Sequence, residues 1–479
     1  MNILRRISVL AAALVLMAAV SCKRVEYVSH PDWAPDVREA LNDFIDECKG
    51  KENAYVVFDF DNTCSIFDIS EQLMIYQLRH MAFELSPEEF RNMAYSHTEE
   101  ADSEVLEAVE SVASKYSELY GKYGPFTYKG VSDSTMNMLS EDLLWKDFAI
   151  DMAKMYDLMS NCMSIDEAYI WVVGWFAGMT EPQLYDLALA SHTEYSSVET
   201  SRGEWKGTSK THTWIDGIQV SENIRELWKA FSDNGIDVWV CSASFVQPVK
   251  AAVDFFGLHD YCKGVIAMTM SVDSTGRMTT EYDYENGYPE LALPDGAWKK
   301  DLVPTRTKTS EQGKVTSIMN VLYPRYDGGP LAGFMDATGD YYFCTEFASL
   351  KLAVCFNRAS RKVTDGGGLI AETAIFERDV LGYDLKKANS NGDILYVLQG
   401  RDENGHRALR PSNYTLRFGE TEEKLFAGEE NSKELDWFKS KSLTVKEILD
   451  SFCIRTSADN PLGFAYGFTD TYPGYRSIQ

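Results

Sequence analysis

Tyr55-Val56-Val57-Phe58-Asp59-Phe60-Asp61-Asn62-Thr63 decides how this chain of 479 residues is read. Its first four residues are apolar, β-branched or aromatic, the composition of a buried strand, and the run stops at two carboxylates. In open α/β sheets ligands bind beyond the carboxyl ends of the strands, so Asp59 and Asp61 stand where chemistry is done. An isolated Asp-x-Asp is weak, because carboxylates that close a strand also serve as caps and turn formers.

Three further signals follow in the chain. Asp237-Val238-Trp239-Val240-Cys241 reads as a second buried strand and ends in Ser242-Ala243-Ser244. Gly313 to Met319 has helical spacing, with Val315, Ile318 and Met319 on one face and Lys314 near its start. Leu331 to Met335 is a third apolar run and ends in Asp336, with Asp340 four positions on. Acids, hydroxyl, lysine, acids: taken in that order, the four signals resemble the haloacid dehalogenase superfamily of phosphohydrolases over residues 50 to 360. Asp-Phe-Asp-Asn-Thr, Ser-Ala-Ser and Gly339-Asp340-Tyr341 look most like its phosphoserine and phosphorylcholine phosphatase branch.

The resemblance implies roles. Asp59 would be the nucleophile and Asp61 the general acid and base. Ser242 and Lys314 would hold the transferring phosphoryl group, and Asp336 and Asp340 would bind or position Mg²⁺ with Asp59 and the backbone carbonyl of Asp61. Ser244 and Asp68 would face the substrate. Dehalogenases of the same fold lack the second aspartate and the metal, so Asp61, Asp336 and Asp340 favour phosphate ester hydrolysis. One departure stands out: where this branch carries Gly-Asp-Ser-x-Gly-Asp, the chain reads Met335-Asp336-Ala337-Thr338-Gly339-Asp340, which keeps both acids and leaves a slowed relative as an alternative.

The chemistry explains the residue types. A carboxylate attacking a phosphate monoester meets an anion, so a divalent cation with hard oxygen ligands belongs between them. Attack gives an aspartyl-phosphate. Charge then spreads over the equatorial oxygens, where fixed donors such as Ser242 and Lys314 count most.

The expected fold is α/β, a Rossmann-like core with a parallel sheet and a large inserted helical cap. The core is expected over 50–71 and 211–360, because about 180 residues separate the first two motifs, far more than one crossover needs. The cap, over 72–210, is mostly helical in pattern. Val105, Val109, Val112, Tyr116 and Leu119 recur at steps of three and four behind Asp102, and Leu143 to Met159 and Pro182 to Ala190 look similar, the latter opened by Thr180. Asp68 has two readings, a substrate-facing acid by resemblance and a helix cap ahead of Glu71. The rings Tyr169, Trp171, Trp175, Phe176, Trp205 and Trp214 likewise fit either a core or a site for a quaternary ammonium.

Arg5 and Arg6 before the apolar segment Ile7 to Val20, then Ser21-Cys22, have the pattern of a secretory signal over 1–21; small residues before a cysteine resemble a lipobox with Cys22 lipidated, the alternative being an ordinary signal with a coincidental cysteine. The mature protein is then expected on the bacterial cell envelope, periplasmic or surface, touching membrane only through its lipid anchor. A formal charge of -27 opposes nucleic acid, and a small phosphorylated substrate is the expected partner. Of nine cysteines none forms a C-x-x-C pair, which argues against zinc. Beyond Arg358 the pattern loosens. Gly366 to Gly368 reads as a surface turn, Ile394 to Leu398 as an added strand, Leu443 to Phe452 as a short helix, and the extension 361–479 carries no assigned role. The expected activity is that of a Mg²⁺-dependent phosphomonoesterase, with a catalytically impaired binding lipoprotein or a phosphotransferase as alternatives.

Overall fold

The computed structural model describes residues 25–163, 165–282, 309, 310, 312–340, 342–344, 347–359, 394–405 and 409–424. The segments read as signal and Cys22, as the turn at 366–368 and as the helix at 443–452 lie outside the described residues. None of the described helices is long and apolar enough to cross a membrane.

Six parallel strands form the central sheet: β1 (Tyr55–Phe58), β2 (Asp237–Phe245), β3 (Cys262–Met268), β4 (Ala332–Met335), β5 (Leu352–Phe356) and β6 (Leu395–Gln399). Their order is β6-β5-β4-β1-β2-β3, a doubly wound arrangement whose direction of progression reverses between β1 and β4. That reversal opens a crevice at the carboxyl edge. Because both faces of a parallel sheet are covered, its strands read as unbroken apolar runs, and β1, β4 and β5 are buried along their whole length. The α/β core expected from the sequence is therefore present, and the run from Ile394 supplies its sixth strand, beyond the span that the resemblance covers.

Register sets the site. Phe58 pairs with Val240 on one side and Phe334 on the other, so Asp59 leaves the sheet level with Cys241 and Met335. Alternation assigns the two faces. Phe58 stacks on Phe334 at 3.8 Å and meets Trp228 and Phe231 of the helix Glu222–Asp233. Tyr55 points to the other face and stacks on Tyr326, whose hydroxyl accepts from Trp239 Nε1. Trp239 lies flat over Gly264 of β3, where an added Cβ would fall 2.4 Å from the indole; a side chain there would push the ring away.

Between β1 and β2 the chain builds helices over Ile69–His80, Pro87–Tyr95, Ser103–Tyr123, Asp133–Glu141, Leu143–Cys162, Ile165–Val173 and Glu181–Ser196. Ser103–Tyr123 starts where Asp102 accepts from the backbone of Glu104 and Val105, and it buries all five residues that the periodicity selects. A hairpin, Ser201–Lys206 with Thr211–Asp216, then leads back toward the sheet. Its period of two lies in a stretch otherwise read as helical. Cys241 and Cys355 are buried thiols within strands.

Candidate active site

Asp59 is the first residue past β1, and its own N–H donates to Phe334 O, which fixes it between β1 and β4. Its carboxylate is 5% exposed and accepts from Lys314 Nζ at 2.5 Å. Lys314 comes from the first turn of the helix Gln312–Val321 and also contacts Asp340 Oδ1. Thr63 Oγ1 lies 3.2 Å from Asp59 Oδ2 and 3.1 Å from Asp336 Oδ1, bridging the ends of β1 and β4. Asp59, Asp336 and Asp340 each bring a carboxylate oxygen within 4.8 Å of the others.

Asp61 faces away from that trio. Its Oδ1 accepts from the backbone of Ile69 at 2.7 Å, at the start of a helix, and its Oδ2 from Ser244 at 2.5 Å and, at 3.5 Å, from Ser242. The Asp61 carboxylate thus sits outside the acid cluster, which leaves only its backbone carbonyl for the ligand role that the resemblance implies. Ser242 Oγ in turn accepts from Ser244 N, and Ser244 Oγ lies 2.7 Å from Ser70 Oγ.

Burial dominates the protonation of these groups. It pushes the Asp59 carboxyl well above the usual range, as does Asp340, against the pull of Lys314. Asp61 is also raised well above that range, by burial and by Asp68, with Ser244 and the Ile69 N–H pulling the other way. Asp340 is raised to about 6 by burial, with Lys314 opposing and Asp336 adding to the shift. Burial disfavours the charged form of Lys314, but Asp340 and Asp59 outweigh it and hold its pKa above the ordinary value.

A cavity of about 800 Å³ opens from this edge into the helical insertion. Asp68, Ser244, Asp336 and Arg358 line its sheet side, and Tyr169, Trp175, Phe176 and Trp214 its far side. Trp171 and Trp205, which fitted either reading, are buried in the core and do not line the cavity. Tyr169 ties the two halves together by donating to Ala243 O at 2.6 Å. Asp68 caps the helix Ile69–His80, its Oδ1 accepting from Ser70 N and Glu71 N, while its side chain also borders the cavity. Glu71 does not fold back to complete a capping box; it is exposed to the cavity, and burial with the neighbouring Asp68 raises its pKa to about 7.

Two residues of this edge escaped the sequence reading. Thr63 closes the opening stretch with no role implied by the sequence. Arg358, just past the end of β5, donates to Asp336 Oδ2 at 3.0 Å and faces the cavity. The signal was available, since an apolar run ending in a polar residue is the rule that singled out Asp59 and Asp336. The methionine at 335 leaves the motif intact: it continues β4 in register with Cys355, and it is not among the residues with positive φ. Glycine is not required at that position, because the chain does not turn there.

The donor set fits a hard divalent cation. Three carboxylates, Asp59, Asp336 and Asp340, converge on two cations, Lys314 and Arg358, a formal excess of one negative charge in a largely buried space. Thr63 has one proton for two carboxylates and satisfies only one at a time. Oxygen-only ligands of this kind suit Mg²⁺.

No family model matches the chain, and no curated protein does. Among solved structures, a conserved protein of unknown function from Anaerococcus prevotii DSM 20548 superposes with a TM-score of 0.63 at 20% identity, covering 83% of this chain and 100% of that one. That likeness is one of fold alone. A protein of unknown function from Bordetella pertussis Tohama I aligns at 0.32, with 11% identity over 64% of this chain and 91% of that one. Cytosolic 5'-nucleotidase IIIB bound to cytidine aligns at 0.30, with 12% identity over 72% and 86%. Scores so low carry no argument about this chain.

Proposed function

We propose that this protein is a Mg²⁺-dependent phosphomonoesterase of the haloacid dehalogenase type, acting through an aspartyl-phosphate on Asp59. The observation that carries the reading is the convergence of Asp59, Asp336, Asp340 and Lys314 at the switch point of the sheet, with Asp61 held separately by Ile69 N and Ser244, and Asp336 and Ser244 bordering a cavity. Mg²⁺ held by Asp59, Asp336 and Asp340 would neutralise the charge between a carboxylate and a phosphate anion.

Asp59 attacks phosphorus through one carboxylate oxygen while the bond to the leaving oxygen breaks. Asp61, whose raised pKa favours the protonated form, gives its proton to that oxygen, and the alcohol departs. The ionised Asp61 then takes a proton from water, which attacks phosphorus and releases Asp59 and inorganic phosphate. Lys314 and Ser242 would be the donors to the equatorial oxygens. Thr63 and Arg358 hold Asp336 in place.

A small phosphate ester fits the cavity, and a substrate with an amino or ammonium group, as in phosphoserine or phosphorylcholine, fits its acids Asp68 and Glu71 and its rings. Residues 1–22 support export and a lipid anchor on the cell envelope. The test is hydrolysis of p-nitrophenyl phosphate by purified protein, present with Mg²⁺ and absent with EDTA. Turnover that is indifferent to EDTA sinks the metal reading. Formation of a new ester on adding glycerol identifies a phosphotransferase.

A further inference from the structure

The extension beyond residue 361 received no task from the sequence, yet its described part reaches the motif loop. Arg401, two residues past β6, is 1% exposed. Its Nη1 donates to Asn62 O at 2.9 Å and its Nη2 to Asn62 Oδ1 at 3.2 Å, so a single guanidinium grips both the backbone and the side chain of one residue. Asn62 stands between Asp61 and Thr63. It has φ +60°, the left-handed region, which asparagine tolerates better than most residues with a side chain, and its own N–H donates to Ser65 Oγ at 3.3 Å.

The grip is itself anchored. Glu403 Oε1 accepts from Arg401 Nε at 3.0 Å and Nη2 at 2.7 Å, and Glu403 Oε2 accepts from Phe418 N at 3.1 Å. Arg401 N donates to Thr415 Oγ1, and the Arg401 carbonyl accepts from Leu416 N. The same segment reaches the other side of the site: Thr415 Oγ1 donates to Asn357 O, and Asn357 Nδ2 donates to Asn413 O, one residue before the Arg358 that holds Asp336.

We propose that Arg401 is a positioning residue for the reaction, fixing the Asp61-Asn62-Thr63 turn so that the proton donor and the bridging hydroxyl keep their places. The inference rests on the Asp59 and Asp61 reading above and extends it by giving the carboxyl-terminal segment a part in the active site. A lysine cannot take over, because an ammonium lacks the planar fork that reaches Asn62 O, Asn62 Oδ1 and Glu403 together.

The test pairs two readouts on the full chain. Arg401→Met with Glu403→Leu removes both charges together and leaves neither buried alone. In that double variant, kcat for p-nitrophenyl phosphate is expected to fall about 100-fold, the size of loss that goes with misplacing a catalytic group by about 1 Å. KM should stay near its wild-type value, and amide exchange should rise in peptides covering 59–66 and not in the helix Ser103–Tyr123. A folded variant with wild-type kcat, or with unchanged exchange in that loop, overturns the proposal. Faster loop exchange alongside a wild type that never turns over leaves the positioning intact and removes the phosphatase reading instead. Should the double variant not fold, Arg401→Lys is measured in the same way, and wild-type kcat there is equally fatal.

Discussion

Arg401 and Glu403 meet one to one, with the remaining guanidinium and carboxylate atoms directed at Asn62 and Phe418. Around Asp59, on the other side of the same loop, three carboxylates face two cations, and Thr63 has one proton for two of them. Both clusters are buried, but one is electrically closed and the other is not. A closed pair orders the chain, whereas a cluster with surplus acid bordering a cavity has the charge and the oxygen ligands to take a cation. The difference separates a scaffold from a site.

The comparison breaks most visibly at the nucleophile. Asp59→Asn should lower turnover by about 10⁴-fold or more, since removing a covalent nucleophile leaves only binding and electrostatics. Initial rates with p-nitrophenyl phosphate and Mg²⁺ measure it, and activity retained in a metal-loaded variant would show that Asp59 is not the attacking group.

Lys314 and Arg401 sharpen the contrast through stability. Each is a buried cation against carboxylates, so Lys314→Met and Arg401→Met should each cost about 3–5 kcal/mol in urea unfolding at neutral pH. The second step differs. Adding Glu403→Leu to Arg401→Met should recover most of the loss, while adding Asp340→Leu to Lys314→Met should not, because Asp59, Asp61 and Asp336 remain. Equal recovery at both places would erase the distinction between closed and open clusters.

Metal is the third lever. Mg²⁺ at a hundredfold excess over its Kd should stabilise the native chain by about 2.7 kcal/mol. Thermal unfolding with and without EDTA reads it, and Asp336→Asn should abolish the gain. The Arg401→Met/Glu403→Leu variant should keep it, as neither residue belongs to the acid cluster.

How much of this was legible in the sequence follows from which contacts are local in pattern. The strands before Asp59, Ser242 and Asp336 announce themselves because burial on both faces leaves an unbroken apolar run. The helix Ser103–Tyr123 does so through its period and its Asp102 cap. Asp68 stayed ambiguous because one aspartate does two things at once, capping a helix and bordering the cavity. The task of Arg401 was illegible, since its partner lies 339 positions away and the contact depends on a left-handed Asn62 that no sequence pattern announces. The hairpin was missed for a simpler reason: Trp205, His212 and Trp214 share no short apolar run.

His192 supplies the limiting case, a buried titratable group with no opposing charge at all. It sits between the helices Glu181–Ser196 and Val246–Phe255, near Phe255 and Phe256, with Nε2 3.3 Å from Pro248 O and Nδ1 without a hydrogen-bond partner. Burial lowers its pKa from 6.5 to about 4. The folded chain therefore keeps His192 neutral where the unfolded chain already binds a proton, so stability is complete above 6.5 and is lost as pH falls from there toward 4. Between pH 7.5 and 5.5 the loss should be about 1.4 kcal/mol, one pH unit below the unfolded value. Carboxylates raised in the fold act in the opposite direction, so the quantity to measure is the difference between wild type and His192→Gln across that range. Glutamine cannot be protonated, and its pH profile should be flatter on the acid side by that amount. Identical profiles would mean that water or a local opening relieves His192, and that burial without a counter-charge costs this fold less than the closed and open clusters imply.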